Sequence, residues 1–148
     1  MAVDRHGTGL TILRVFLGVF LLFQGLGKLR WFVDSSILLS QFRDWHDSVA
    51  PGSISARYLD QVMPFAGVFA RLVPVGEISC GLAMIGGLWT SLAALVAFFM
   101  VLNFAVASGY IFKYSYLTNG YGLPVLGGTL ALALGGVRLP FSLRNGRS

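Results

Sequence analysis

The sequence predicts an all-α, polytopic membrane protein: four transmembrane helices in a bundle, with an amphipathic surface helix between the first and second spans. Three observations lead there. Of 148 residues, 55% are hydrophobic and only 11% are charged, with a mean hydropathy of +0.74, whereas charged residues make up about a quarter of an ordinary soluble domain. Apolar runs recur at residues 9–28, 65–88, 91–108 and 122–137, against the roughly 20 residues that a hydrocarbon core of about 30 Å demands. The 11 basic residues are scattered at the ends of these runs and build no aromatic or basic stripe. The net charge of +5 therefore reads as membrane-edge bases and not as a nucleic-acid surface. One membrane domain covering residues 1–148 is expected.

The first run, Leu10 to Leu26, is apolar except for Thr11, Arg14 and Gln24, and it ends at Lys28 and Arg30. Those bases stand where a signal peptide would carry a small-residue cleavage motif, so the run is expected to stay as an anchor. Arg14, Gly18, Leu21, Gly25 and Lys28 fall on one helical face. Its glycines admit a close neighbour, and its terminal charges can snorkel to the interfaces.

Between Leu29 and Pro64 the composition turns mixed, with a surface helical loop expected at about 34–62. Leu38, Phe42, Trp45 and Val49 recur at helical spacing opposite Ser36, Ser40, Arg43, Asp44 and Asp47. Asp34 or Ser35 is the expected cap and Pro51-Gly52 the stop, with a second short helix from Ser53 to about Val62. The expectation is a helix lying on the membrane surface, with Trp31 and Trp45 at the headgroups, that seals the bundle; a substrate or partner surface is the alternative.

The second span, from about Phe65 to Leu88, is interrupted by Arg71, Pro74 and Glu77. Pro74 cannot donate to the carbonyl of Ala70, which predicts a kink one turn before Glu77. A tight turn from Gly86 to Ser91 reverses the chain into the third span, whose strongly polar interior residue is Asn103. The connector up to Tyr121 carries Lys113 and an interfacial tyrosine set. The fourth span carries Gly127, Ala131 and Gly135 as a close-packing stripe and stops at Arg138 and Pro140. Four spans put both termini on one side. The cytoplasmic side is expected, because Arg138, Arg144 and Arg147 have no acid near them, whereas the long loop mixes Asp34, Asp44, Asp47 and Asp60 with its bases.

Glu77 is the candidate catalytic residue. A carboxylate in a membrane span costs roughly 2.5 to 3.5 kcal/mol on insertion scales, so it faces a partner or a wet cavity and not lipid. Counted from the terminal face at about 1.5 Å per residue, Glu77 lies at roughly 16 Å, Gln24 and Asn103 at about 21 to 22 Å and Arg14 at about 8 Å. These four are expected to form one polar cluster in which Arg14 reaches Glu77 while Lys28 sits near the opposite interface with Arg71. Two readings stay open: hydrogen-bonded glue between helices, or a site where Glu77 handles a proton or holds a polar head group such as a quinone carbonyl, with Arg14, Asn103 and Gln24 as further contacts.

Other chemistry is poorly supplied. The lone Cys80 excludes an intrachain disulfide or dithiol centre. His46 lacks a second histidine at ligand spacing, so no metal site is expected. No phosphate loop, catalytic carboxylate pair or nucleophile triad is apparent.

The pattern Arg14-x3-Gly18-x6-Gly25-x2-Lys28, followed by Glu77-x3-Gly81 and Gly86-Gly87-Leu88 in the second span, resembles the DoxX-like family of small bacterial membrane proteins over almost the whole chain. The resemblance implies a four-helix bundle beside redox machinery, since the related DoxD protein is a membrane subunit of a thiosulfate:quinone oxidoreductase. It also points to Arg14, Lys28 and Glu77 as characteristic charged positions. The family often has a base just after the Gly-Leu turn, where this chain has Trp89-Thr90-Ser91. The implied role is an accessory or anchor subunit of a redox or respiratory complex in the inner membrane, contributing to a quinone site around Glu77 and not catalytic alone. A structural scaffold packing on partner helices or lipid, with homo-oligomers allowed, and a small transporter or proton path are the competing readings.

Overall fold

The computed structural model describes residues 5–111 and 113–143. Arg144 and Arg147, used above for the orientation, lie outside the described residues. All regular elements among the described residues are helical: α1 (Arg5–Gly27), α2 (Arg30–Val33), α3 (Ser36–Ser48), α4 (Ile54–Val62), α5 (Ala66–Gly86), α6 (Thr90–Ala107), α7 (Tyr114–Leu117) and α8 (Leu123–Gly135), with 3₁₀ turns at Met63–Phe65 and Gly136–Arg138.

Three helical stretches are long and apolar enough to cross a membrane: His6–Val33, Ile54–Gly86 and Thr90–Ala107. Helix α8 is apolar but has 13 residues, about 20 Å of rise, which alone falls short of a core of about 30 Å. The chain is a membrane protein by these stretches, with a shorter fourth apolar helix beside them.

The closest pairing joins α1 to α5, and the reason is glycine. A Cβ added at Gly81 would lie 2.6 Å from the Leu22 nitrogen, and one at Gly18 would lie 2.9 Å from the Gly81 carbonyl oxygen. The backbones touch there, which no side chain permits. At the next level Gly25 meets Ile78 and the Pro74 carbonyl. Helix α5 continues as an α-helix through the fully buried Pro74. The reversal into α6 rests on Gly87, whose left-handed φ of 69° lets Leu88 N donate to Ala83 O at 2.8 Å. This is a glycine C-cap that a Cβ would strain.

The long loop departs from expectation in one respect. Leu38 and Phe42 of α3 are buried and Ser36, Ser40, Arg43, Asp44 and Asp47 are exposed, as the pattern predicts. That apolar face is covered by protein, however. Leu38, Phe42 and Leu59 form a second core with Ala66, Ala70, Val73 and Ala107, and Trp31 joins it at 8% exposure. The segment is a lid packed on the ends of α5 and α6, and its small partners (Ala66, Ala70, Ala107) are what let it seat so closely. Ser55 Oγ donates to Val106 O at 2.6 Å, tying α4 to α6. Asp34 opens α3, accepting from Ser36 N at 3.0 Å, and these Ser36 bonds hold its carboxyl below the usual aspartate range. Ser53 caps α4 through Ala56 N.

The expected stripe on α8 faces outward. Gly127 has open space beyond it and Ala131 and Gly135 are exposed. The packed face carries Val125, Thr129 and Leu132, with Gly128 against Leu17.

Candidate functional site

Glu77 is 6% exposed, and its partner is Lys28, which forms a salt bridge and hydrogen bond to Oε1. The expected Arg14–Glu77 contact does not form. The register explains why. Helices α1 and α5 run antiparallel, with Gly25 level with Pro74 and Ile78 and Gly18 level with Gly81 and Ile85, which sets Glu77 opposite Gln24. Helical side chains lean toward their own N-terminus. Lys28 therefore leans back along α1 toward Glu77, and Glu77 leans along α5 toward Lys28. Arg14 leans the same way along α1 but starts on the N-terminal side of that level, so its lean carries it away from Glu77, and it lies about 21 Å from Lys28 along the axis at 1.5 Å per residue.

Arg14 is 1% exposed and holds the C-terminal segment: its guanidinium donates to Ser142 Oγ at 2.6 Å and to Phe141 O at 2.9 Å. It fills the space that a side chain at Gly87 would need. The guanidinium thus places a cation beside the turn whose following residues, Trp89-Thr90-Ser91, carry none.

Asn103 also leaves the expected cluster. Its Oδ1 accepts from the Tyr58 hydroxyl of α4, and it lines an apolar groove between α5 and α6 together with Gly76, Phe99 and Met100. Gln24 alone among the expected partners shares a cavity with Glu77. The four-residue cluster is three separate polar groups, at Glu77, Asn103 and Arg14.

The cavity at Glu77 has a volume of about 340 Å³ and draws walls from α1, α2, α3, α5, α6 and the connector. Gln24, Lys28 and Glu77 are its polar residues on the spans, and Trp31, Trp45, Phe104 and Tyr116 are among its aromatic walls. Lys28 Nζ lies 5.5 Å from the Phe104 ring centroid and 5.8 Å from that of Trp31, within cation–π range. Trp45 meets Phe104 edge to face, 6.0 Å between centroids. Two polar atoms of residues lining the cavity are buried without a hydrogen-bond partner: Glu77 Oε2 and the Tyr116 hydroxyl. Burial raises the Tyr116 pKa, so the phenol keeps its proton at neutral pH.

A family model described as DoxX matches residues 9–109. The chain belongs to the DoxX family. No curated protein and no solved structure matches it. The matched DoxX stretch carries Arg14, Gln24, Lys28, Glu77 and Asn103, while Tyr116 and Tyr121 lie beyond it.

The residues that sequence reasoning placed elsewhere are Lys28, set near the far interface, and the aromatics Trp31, Trp45 and Tyr116, read as membrane belt. A signal for Lys28 was present. It shares the Gly18–Gly25 stripe, and a glycine stripe marks the face that meets a neighbouring helix. His46 Nε2 lies 3.1 Å from Asp60 Oδ1 on the lid.

Proposed function

We propose that this DoxX protein is an accessory membrane subunit of a redox or respiratory assembly in the bacterial cytoplasmic membrane, and that the Lys28–Glu77 cavity receives a quinone head group. The observation that carries the proposal is the buried, unpartnered Glu77 Oε2 in an aromatic-walled cavity of about 340 Å³. A buried carboxylate oxygen left unpaired costs free energy that the hydroxyl of the reduced head group recovers, while Lys28 offers N–H donors to a ring oxygen in either redox state. Flat aromatic walls suit a ring, and a lone cysteine gives no dithiol, so the electron carrier belongs to a partner subunit. Under this reading the chain is one membrane domain, α8 with its flanks forms the fourth span, and both termini are cytoplasmic.

The test is purification in mild detergent from native membranes, with partners identified and the extracted lipid assayed for quinone. The proposal expects copurifying redox subunits and bound quinone, with the quinone lost in Lys28→Met. Protein recovered alone, without partner or quinone, overturns it.

A second reading rests on the same ion pair. Lys28–Glu77 joins α1 to α5 one turn from their backbone contact, as a structural scaffold would require. Assembly and partner activity retained after Glu77→Gln favour that reading.

A further inference from the structure

We infer that the Glu77 cavity selects a membrane-dissolved amphiphile whose ring bears a hydrogen-bond-donating hydroxyl, a hydroquinone-like head in preference to its oxidised or etherified form, and that the tail leaves beside α1. This deepens the proposed function and rests on it.

The argument is a balance of donors and acceptors. Lys28 bonds Oε1, and with the Glu77 carboxylate as counter-charge to that ammonium, Oε2 is left as an acceptor. No protein donor reaches Oε2. The ammonium spends one of its three N–H donors on Glu77 and faces the rings of Trp31 and Phe104; its remaining donors serve a hydroxyl oxygen, an ether or a carbonyl alike and do not discriminate. What the cavity lacks is a donor to a buried anion. A ring hydroxyl supplies one, and a hydrogen bond to an ionised acceptor is roughly twice as strong as a neutral one. A quinone carbonyl or a methyl ether offers only acceptors, which leaves Oε2 orphaned. The Tyr116 hydroxyl, also buried and unpartnered, can donate or accept and does not discriminate.

The tail follows from geometry. A second recess, lined by Val19, Phe20, Phe23, Gln24, Lys28 and Tyr121 among others, shares Phe20, Gln24, Lys28 and Tyr121 with the head cavity. Val19 and Phe23 are exposed on α1, Phe23 at 67%, on a span where the surrounding medium is lipid. The stacked rings of Phe20 and Tyr121, 5.8 Å apart, stand between the two spaces as a wall common to both. A ring held at Glu77 can thus keep its alkyl or isoprenoid chain in the bilayer.

The test uses the whole protein in lipid nanodiscs, with Trp31 and Trp45 as reporters in a Trp89→Phe background. A decyl-substituted hydroquinone and its dimethyl ether are titrated with matched empty-nanodisc controls, then repeated with Glu77→Gln and with Tyr116→Phe. The inference expects the hydroquinone to bind at least about tenfold more tightly than the ether, with that ratio collapsing in Glu77→Gln and persisting in Tyr116→Phe. Equal affinities in the wild-type protein overturn the donor requirement while leaving the head-group site standing. No binding of either compound, nor of the decyl-quinone, overturns the proposed site itself and this inference with it. Because the decisive comparison is made on the wild-type chain, a variant that fails to fold does not blunt it.

Discussion

At the level of single residues, the ion pair between Lys28 and Glu77 is the most consequential contact, because it sets a half-buried ammonium against a buried carboxylate within an apolar fold. Removing one partner of such a pair strands the other. Lys28→Met is expected to destabilise the protein by about 3 to 5 kcal/mol, while Lys28→Met combined with Glu77→Leu recovers most of that loss. Thermal unfolding in a fixed detergent measures both, and additive losses in the double variant would contradict the pairing. Glu77 was legible in the sequence because a carboxylate in an apolar span must be accommodated somehow. Its partner was not, since depth counting treats each side chain as a point at its Cα. Lys28 and Glu77 lean toward one another by their helix directions, and a lysine side chain is long enough to convert that lean into contact. Arg14 has the charge but leans away, toward Ser142 and the Phe141 carbonyl.

Among the elements, α1 against α5 and the lid against α6 define the walls of the cavity. Gly81→Val places a branched side chain against the backbone of Leu22, and backbone cannot yield as a side chain can. The expected loss is at least the 1 to 3 kcal/mol typical of overpacking, read from the same unfolding transition. The lid is tied by Tyr58 to Asn103. Tyr58→Phe should cost about 1 kcal/mol and speed hydrogen exchange in α4 while leaving α5 and α6 unchanged. Unchanged exchange in α4 would show that Ser55 and the apolar face suffice. The periodicity of α3 and the glycine stripe of α1 could be read directly, because each encodes a face. Whether the face of α3 meets lipid or protein could not, since headgroup boundary and packed helix ends favour the same side chains. The stripe on α8 misled for a related reason: small residues permit close approach but do not compel it.

For the molecule as a whole, family membership and membrane character follow from the DoxX match and three long apolar stretches, and both were readable from composition and the order of charged and glycine positions. The number of crossings was not, because α8 is short and its flanks decide whether it spans. Four crossings with cytoplasmic termini predict that fluorescent-protein fusions at either end both fluoresce in cells, whereas three crossings would silence one of them. The central claim is that the Lys28–Glu77 cavity binds a quinone-type head. Photoaffinity labelling of native membranes with a diazirine-bearing quinone, followed by peptide mapping, tests it most directly. The account predicts adducts at Trp31, Trp45, Phe104 or Tyr116 that excess unlabelled quinone removes. Adducts confined to the Asn103 groove between α5 and α6, or labelling that no competitor displaces, would contradict it.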